Sequence, residues 1–106
     1  MRDYTADLNW LQDNIRDWAK KRQILARSTP QKQFEKTMEE TLELGEAIKF
    51  DHFYKVVDGI GDVLVTLVII AEMHGITLNQ CLEHAWLEIA DRRGKLVNGV
   101  FVKEQR

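Results

Sequence analysis

One cysteine and one proline in 106 residues leave little in this chain to staple or to break. With Cys81 alone there is no intramolecular disulfide and no CxxC pair, and a reducing compartment is the natural setting. Cys81 itself reads as a small buried apolar residue. The longest apolar run, near Val63–Ala71, falls far short of the roughly 20 residues a membrane-spanning helix needs. The opening MRDYTADLNW has no apolar stretch of the kind a secretory signal carries. Fifteen Lys and Arg against seventeen Asp and Glu give a net charge of −2, which offers no electrostatic footprint for nucleic acid. Also missing are a GxxxxGK[ST] phosphate loop, an HExxH zinc motif, a Glu-x-x-His pair of the di-iron kind, and any evident Ser/His or Cys/His nucleophile pair. The expectation is one cytoplasmic domain with no membrane or nucleic-acid partner.

What the chain has is helix. Hydrophobic residues make up 44% and charged residues 30%, a globular balance. A first helix is expected from about Ala6 to Ala26, with Thr5 as N-cap and a stripe of Leu8, Leu11, Ile15, Trp18 and Arg22. Trp18 on that stripe reads as core, whereas Trp10 lies off it and suits a pocket or a subunit contact. Ser28-Thr29-Pro30 separates the first helix from the second, with Thr29 as N-cap and Pro30 at the first helical position. The second helix runs to about Ile48; on its wheel Phe34, Met38, Thr41, Gly45 and Ile48 share a face, nearly opposite Glu39, Glu43 and Glu46. Lys49–His52 is a short link, with Asp51 as candidate cap of a third helix over Phe53–Met73 that is apolar nearly all round. His74-Gly75 closes that helix, and Thr77 with Gln80 forms a capping box for the fourth, whose stripe is Leu78, Leu82, Ala85, Trp86 and Ile89 and whose end is placed at Gly94. Asn98-Gly99 between short apolar runs reads as a tight turn, either a small hairpin or an arm laid on a partner subunit. The three histidines read as cap, turn and solvated-face residues. The sum is an all-α, four-helix bundle of one domain over residues 1–106, with a short C-terminal arm or hairpin. One such chain cannot cover its own third helix on all sides, so a homo-oligomer is expected.

The chemistry lies in two acidic segments. Glu39, Glu40 and Glu43 are helical neighbours on the second helix, where like charges oppose the helix unless a cation joins them. Asp58 and Asp62 sit four apart on the otherwise apolar third helix, a costly placement without a partner or a metal. The economical arrangement sets Asp58 and Asp62 across a helix–helix contact from Glu39, Glu40 and Glu43, around divalent cations. An all-oxygen set suits Mg2+ or Mn2+. Such a centre, without a protein nucleophile, points to metal-assisted attack by water on a polyphosphate. Arg92, Arg93 and Lys95, together with Lys36, are candidates to hold phosphates.

Glu39-Glu40-Thr41-Leu42-Glu43, an EExxE motif, followed by Gly61-Asp62-Val63-Leu64, resembles the MazG-like all-α nucleoside triphosphate pyrophosphohydrolases. The tail DRRGKLVNGVFVK is similar to that of their short phage-encoded members. The resemblance implies Mg2+-dependent cleavage of (d)NTPs to the monophosphate and pyrophosphate by catalytic Glu39, Glu40 and Glu43. It implies metal ligation by Glu39 or Glu40, Glu43 and Asp62, a nucleobase slot for which Trp10, Phe34 and Trp86 are the candidates, and a dimer or tetramer whose active site is often shared between subunits. One departure stands out: the family's second motif is ExxD, and Gly59 occupies its Glu position, leaving Asp58 to supply the missing oxygen. A phosphoribosyl-ATP or dUTP-type pyrophosphohydrolase on the same fold is the alternative substrate class. A non-catalytic helical adaptor or antitoxin-like partner is the alternative of another kind.

Overall fold

The computed structural model describes residues 3–105, and among them the chain forms five helices followed by a β-hairpin. The helices are α1 (Leu8–Lys21), α2 (Ile24–Arg27), α3 (Pro30–Lys49), α4 (Phe53–Met73) and α5 (Leu78–Ile89); the strands are β1 (Gly94–Val97) and β2 (Val100–Lys103). The fifth helix corrects the expected four. The first helix starts later than expected, because Asp7 rather than Thr5 is its N-cap, its carboxylate accepting from Asn9 N–H at 2.7 Å. It also stops at Lys21, where Gln23 takes a left-handed φ of 63°. That turn brings α2 against α4 with Ile24 and Leu25 half-buried, so tertiary packing overrides a locally helical sequence.

The remaining boundaries follow from capping. The Thr29 hydroxyl accepts from Lys32 N–H at the start of α3, with Pro30 behind it. Thr77 and Gln80 close a reciprocal capping box at α5. Asp51 does not cap α4. It adopts a φ of 51° after α3, with Asp51 N–H donating to Ile48 O and His52 N–H to Ala47 O, the Schellman pattern. Gly75 repeats this pattern at the end of α4. Gly94 does not end a helix: α5 stops at Ile89 and Gly94 opens β1, where a side chain would strike the Val102 carbonyl and the Phe101 ring. Asn98 and Gly99 both have positive φ, which makes the two-residue turn type I′ and fixes the register Leu96↔Phe101 and Val97↔Val100.

The α3–α4 hairpin is the principal packing unit. Gly59 of α4 lies under Leu44 of α3, and seven residues back along α3 and seven on along α4 the Thr37 and Thr66 hydroxyls meet at 2.7 Å. α1 is fixed to α4 by an Arg16–Glu72 ion pair, and to α5 by Asn79 N–H donating to the Gln12 side-chain Oε1 at 2.7 Å. The buried apolar set is thin: Ala19, Ala47, Val68, Ile69 and Ala71. Trp18, expected in the core, is 45% exposed beside the Arg22 guanidinium, and Cys81, expected buried, is exposed. Leu82, Trp86 and Ile89, the expected core stripe of α5, are also uncovered. The accessible surface is 9035 Å², against about 6,100 Å² for a compact chain of 12.4 kDa. The radius of gyration, 16.2 Å, likewise exceeds the roughly 13 Å of a compact domain this size. No described helix is long and apolar enough to cross a membrane.

Candidate active site

Between the Leu44–Gly59 and Thr37–Thr66 contacts, the inner face of α3 carries Glu40 and the facing turn of α4 carries Asp62. Glu40 is only 9% exposed. Its Oε1 receives the Lys36 ammonium at 3.3 Å, and its Oε2 is buried with no hydrogen-bond partner. Lys36 also reaches Glu39 Oε1 at 3.4 Å, which raises the lysine's pKa through Glu40 first and Glu39 second. Glu40 acts on the carboxyls of both Glu43 and Asp62. Its charge is the largest influence on Glu43, whose carboxyl is pushed above its ordinary range. Asp62 is also raised, first by desolvation and then by Glu40 and Asp58. The two acidic segments thus meet, and they meet as mutually repelling carboxylates.

Beside them opens a cleft of about 470 Å³, within the roughly 300–1,000 Å³ of ordinary ligand pockets. Glu43, Glu46, Lys55, Asp58 and Asp62 give it polar walls, Ala47 and Gly59 form part of its floor, and Phe50 and His52 stand at the end nearest the α3–α4 turn. Phe50 and His52 are not singled out by sequence, where their one signal is that they flank the turn closing a hairpin whose arms both carry acids; Glu46 shares the helical face of Glu43, and Lys55 lies on the stripe of Asp58 and Asp62.

The other residues singled out from sequence lie elsewhere. Trp10 on α1 and Trp86 on α5 are each 60% exposed, Phe34 near the start of α3 is 56% exposed, and none of the three lines the cleft. Arg92 and Arg93 line a separate groove with Glu88, Asp91, Lys103 and Glu104. Lys95 sits on β1 opposite Val102. Within one chain the basic cluster and the acidic cleft are therefore not brought together.

Among the described residues no three His, Cys, Asp or Glu side chains have the spacing of a ready-made metal site. The donor chemistry nonetheless fits a hard divalent cation. Every candidate donor is a carboxylate oxygen, one of them is buried and orphaned, and a cation would relieve both the repulsion that lifts Glu43 and the burial and repulsion that lift Asp62. Gly59, three residues before Asp62, admits no side chain without movement, since a Cβ there would stand 3.0 Å from Leu44 Cβ and 3.1 Å from Leu44 Cα.

Comparison with known proteins decides the kinship. A model of the MazG nucleotide pyrophosphohydrolase domain matches residues 28–96, a span that runs from just before α3 into β1 and includes every carboxylate of the cleft. The chain belongs to the MazG family. MazG enzymes are generally dependent on a divalent metal. The chain is also similar to an uncharacterised 18.2 kDa protein from the rep–hol intergenic region of Haemophilus phage HP1, with 44% identity over 71 residues, or 67% of this chain. That alignment spans only 44% of the phage protein's length. No solved structure matches the chain. Membership in the MazG family accounts for the helical architecture. The hairpin's second strand lies beyond the matched span.

Proposed function

We propose that this chain hydrolyses nucleoside or deoxynucleoside triphosphates to the monophosphate and pyrophosphate, with Mg2+ or Mn2+ as cofactor. The observation that carries this reading is the convergence of Glu40, Glu43 and Asp62 beside a nucleotide-sized cleft in a MazG chain. Glu39, Glu40, Glu43, Asp58 and Asp62 are the residues that would hold the cation. When bound, it supplies charge neutralisation at the phosphates and acidifies water. The chain's own part is to break the α–β phosphoanhydride bond by directing water onto it. One of Glu39, Glu40 and Glu43 accepts the water's proton, and pyrophosphate departs with the bridging oxygen.

Lys55 in the cleft wall and Lys36 beside it are the cations nearest to where phosphates would lie. Phe50 lies seven residues beyond Glu43, about 10 Å along a helix, so its exposed ring and His52 suit the nucleoside end of an extended nucleotide. This assigns the base to the turn, whereas Trp10, Phe34 and Trp86 suit contacts between copies in a homo-dimer or homo-tetramer. The surface excess over a compact chain supports that assembly.

The experiment is a panel of (d)NTPs, with phosphoribosyl-ATP and dUTP included, incubated with Mg2+ and assayed for pyrophosphate beside a Glu43→Ala control. Metal-dependent pyrophosphate release that the control loses is the expected result. Absence of release across the panel would return the chain to the adaptor reading.

A further inference from the structure

The β1–β2 hairpin packs on none of the five helices. Among the described residues it is tied to the body by its chain connection to α5, and its root by Glu104 N–H donating to Arg93 O. Alternation along the strands puts Val97, Val100 and Val102 on one face and Leu96 and Phe101 on the other. All five are exposed, from 42% for Val97 to 72% for Leu96. A ribbon with one solvated face alternates apolar with polar residues, and this one is apolar on both. Two strands alone are marginal in water, so a hairpin of this composition calls for a surface to lie on.

Two observations identify that surface. The first is area. The chain exposes about 2,900 Å² more than a compact chain of its mass. An ordinary interface takes about 800 Å² per partner, so the excess is on the scale of an obligate homodimer. The second is charge. The last fifteen residues carry five Lys or Arg and one acid, whereas the first ninety-one carry ten Lys or Arg and sixteen acids. Within one chain Lys103, Arg92 and Arg93 meet only the acids at the hairpin's foot, Glu88, Asp91 and Glu104, whereas a second copy presents its whole acidic body. We infer that the β1–β2 hairpin is a clasp that lies on the helical body of a second copy of this chain, each copy gripping the other. The exchange is isologous, so a single surface serves both partners. It stands independently of any nucleotide chemistry.

The test uses the full chain at micromolar concentration, with mass measured by light scattering and sedimentation. Beside the wild type runs the double variant Leu96→Asp, Phe101→Asp. The expected result is an oligomeric wild type and a variant whose association is weakened by about a hundredfold or more, with helical circular dichroism kept. Amides 95–103 of the wild type are expected to be protected from hydrogen exchange, and to lose protection on dilution below the dissociation range. A monomeric wild type overturns the inference, and so does a variant that associates as tightly as the wild type. If the variant loses its helices, the wild-type exchange experiment decides alone: free exchange of the hairpin amides in the oligomer refutes the clasp.

Discussion

Gly59→Ala is a perturbation whose sign depends on the geometry at the cleft floor. Helix propensity alone says the change stabilises, since glycine inside a helix costs roughly 1 kcal/mol relative to alanine. Packing says the reverse: the new methyl would meet Leu44 Cβ at 3.0 Å and Leu44 Cα and Cδ1 at 3.1 Å. A backbone atom is among those contacts, so α3 and α4 must separate by a few tenths of an ångström, and overpacking of this kind costs about 1–3 kcal/mol. The difference is a net loss of about 1 kcal/mol, a fall of about 4–8 °C in Tm for a domain of this size. Gly61, two residues on, has nothing within 4 Å, so Gly61→Ala is the internal control and gains up to about 1 kcal/mol. Thermal denaturation of the three proteins side by side measures both signs. Because Leu44 follows Glu43 directly and Gly59 precedes Asp62 by three, spreading the helices also weakens divalent-cation binding, read by calorimetric titration. A Gly59→Ala protein as stabilised as the Gly61→Ala control would refute the close approach. Gly59→Glu, which writes the family's ExxD pattern into this chain, destabilises more and does not tighten cation binding.

Glu43 and Asp62 are raised in the fold, so the folded chain holds protons there that the unfolded chain has released. The penalty is absent below the unfolded carboxylate range near pH 4, grows as pH rises through the raised values, and is complete above them. Metal-free Glu43→Gln therefore melts higher than wild type at pH 8 and not at pH 3.5, and equal melting at both would remove the repulsion argument. Saturating Mg2+ at about a hundred times its dissociation constant raises wild-type stability by about 2.7 kcal/mol at neutral pH and much less in the Glu43→Gln, Asp62→Asn double variant, as thermal shift will show. Pyrophosphate release falls by about a hundredfold or more in either single variant, while retained activity in Asp58→Ala discards that residue as a ligand. Away from the cleft, Thr66→Val leaves Thr37 its bond to Gln33 O and removes the link between helices, costing about 1 kcal/mol in urea unfolding.

The parts of this fold legible in the sequence are those governed by local chemistry. Thr29-Pro30, Thr77 with Gln80, Gly75 and Asn98-Gly99 each specify a backbone state through a neighbouring donor, acceptor or missing Cβ. Gln23 and Asp51 were not legible, because nothing local asks a glutamine or aspartate to take positive φ; the demand comes from α2 reaching α4 and from α3 closing onto α4. The face of α3 misleads for a related reason. Its inward residues are Thr37, Glu40 and Ala47, while Phe34, Met38 and Ile48 face outward, so hydrophobicity points to the side left for another surface. The acidic meeting itself could be read, because Asp58 and Asp62 have no other business on so apolar a helix. The cleft's Phe50 and His52 could not, since only the folded turn sets them beside Asp62.

Lys36 gives this protein an order of events. Its flexible ammonium already neutralises part of Glu39 and Glu40, so the chain can complete α3 and dock it on α4 with no ion present. In small domains built around a structural metal, loading and folding are a single transition, and chelators unfold them. Here a chelator would leave an intact, empty apoprotein that recovers as soon as the ion returns, and ion supply would act as a throttle on turnover instead of a condition for the chain's survival.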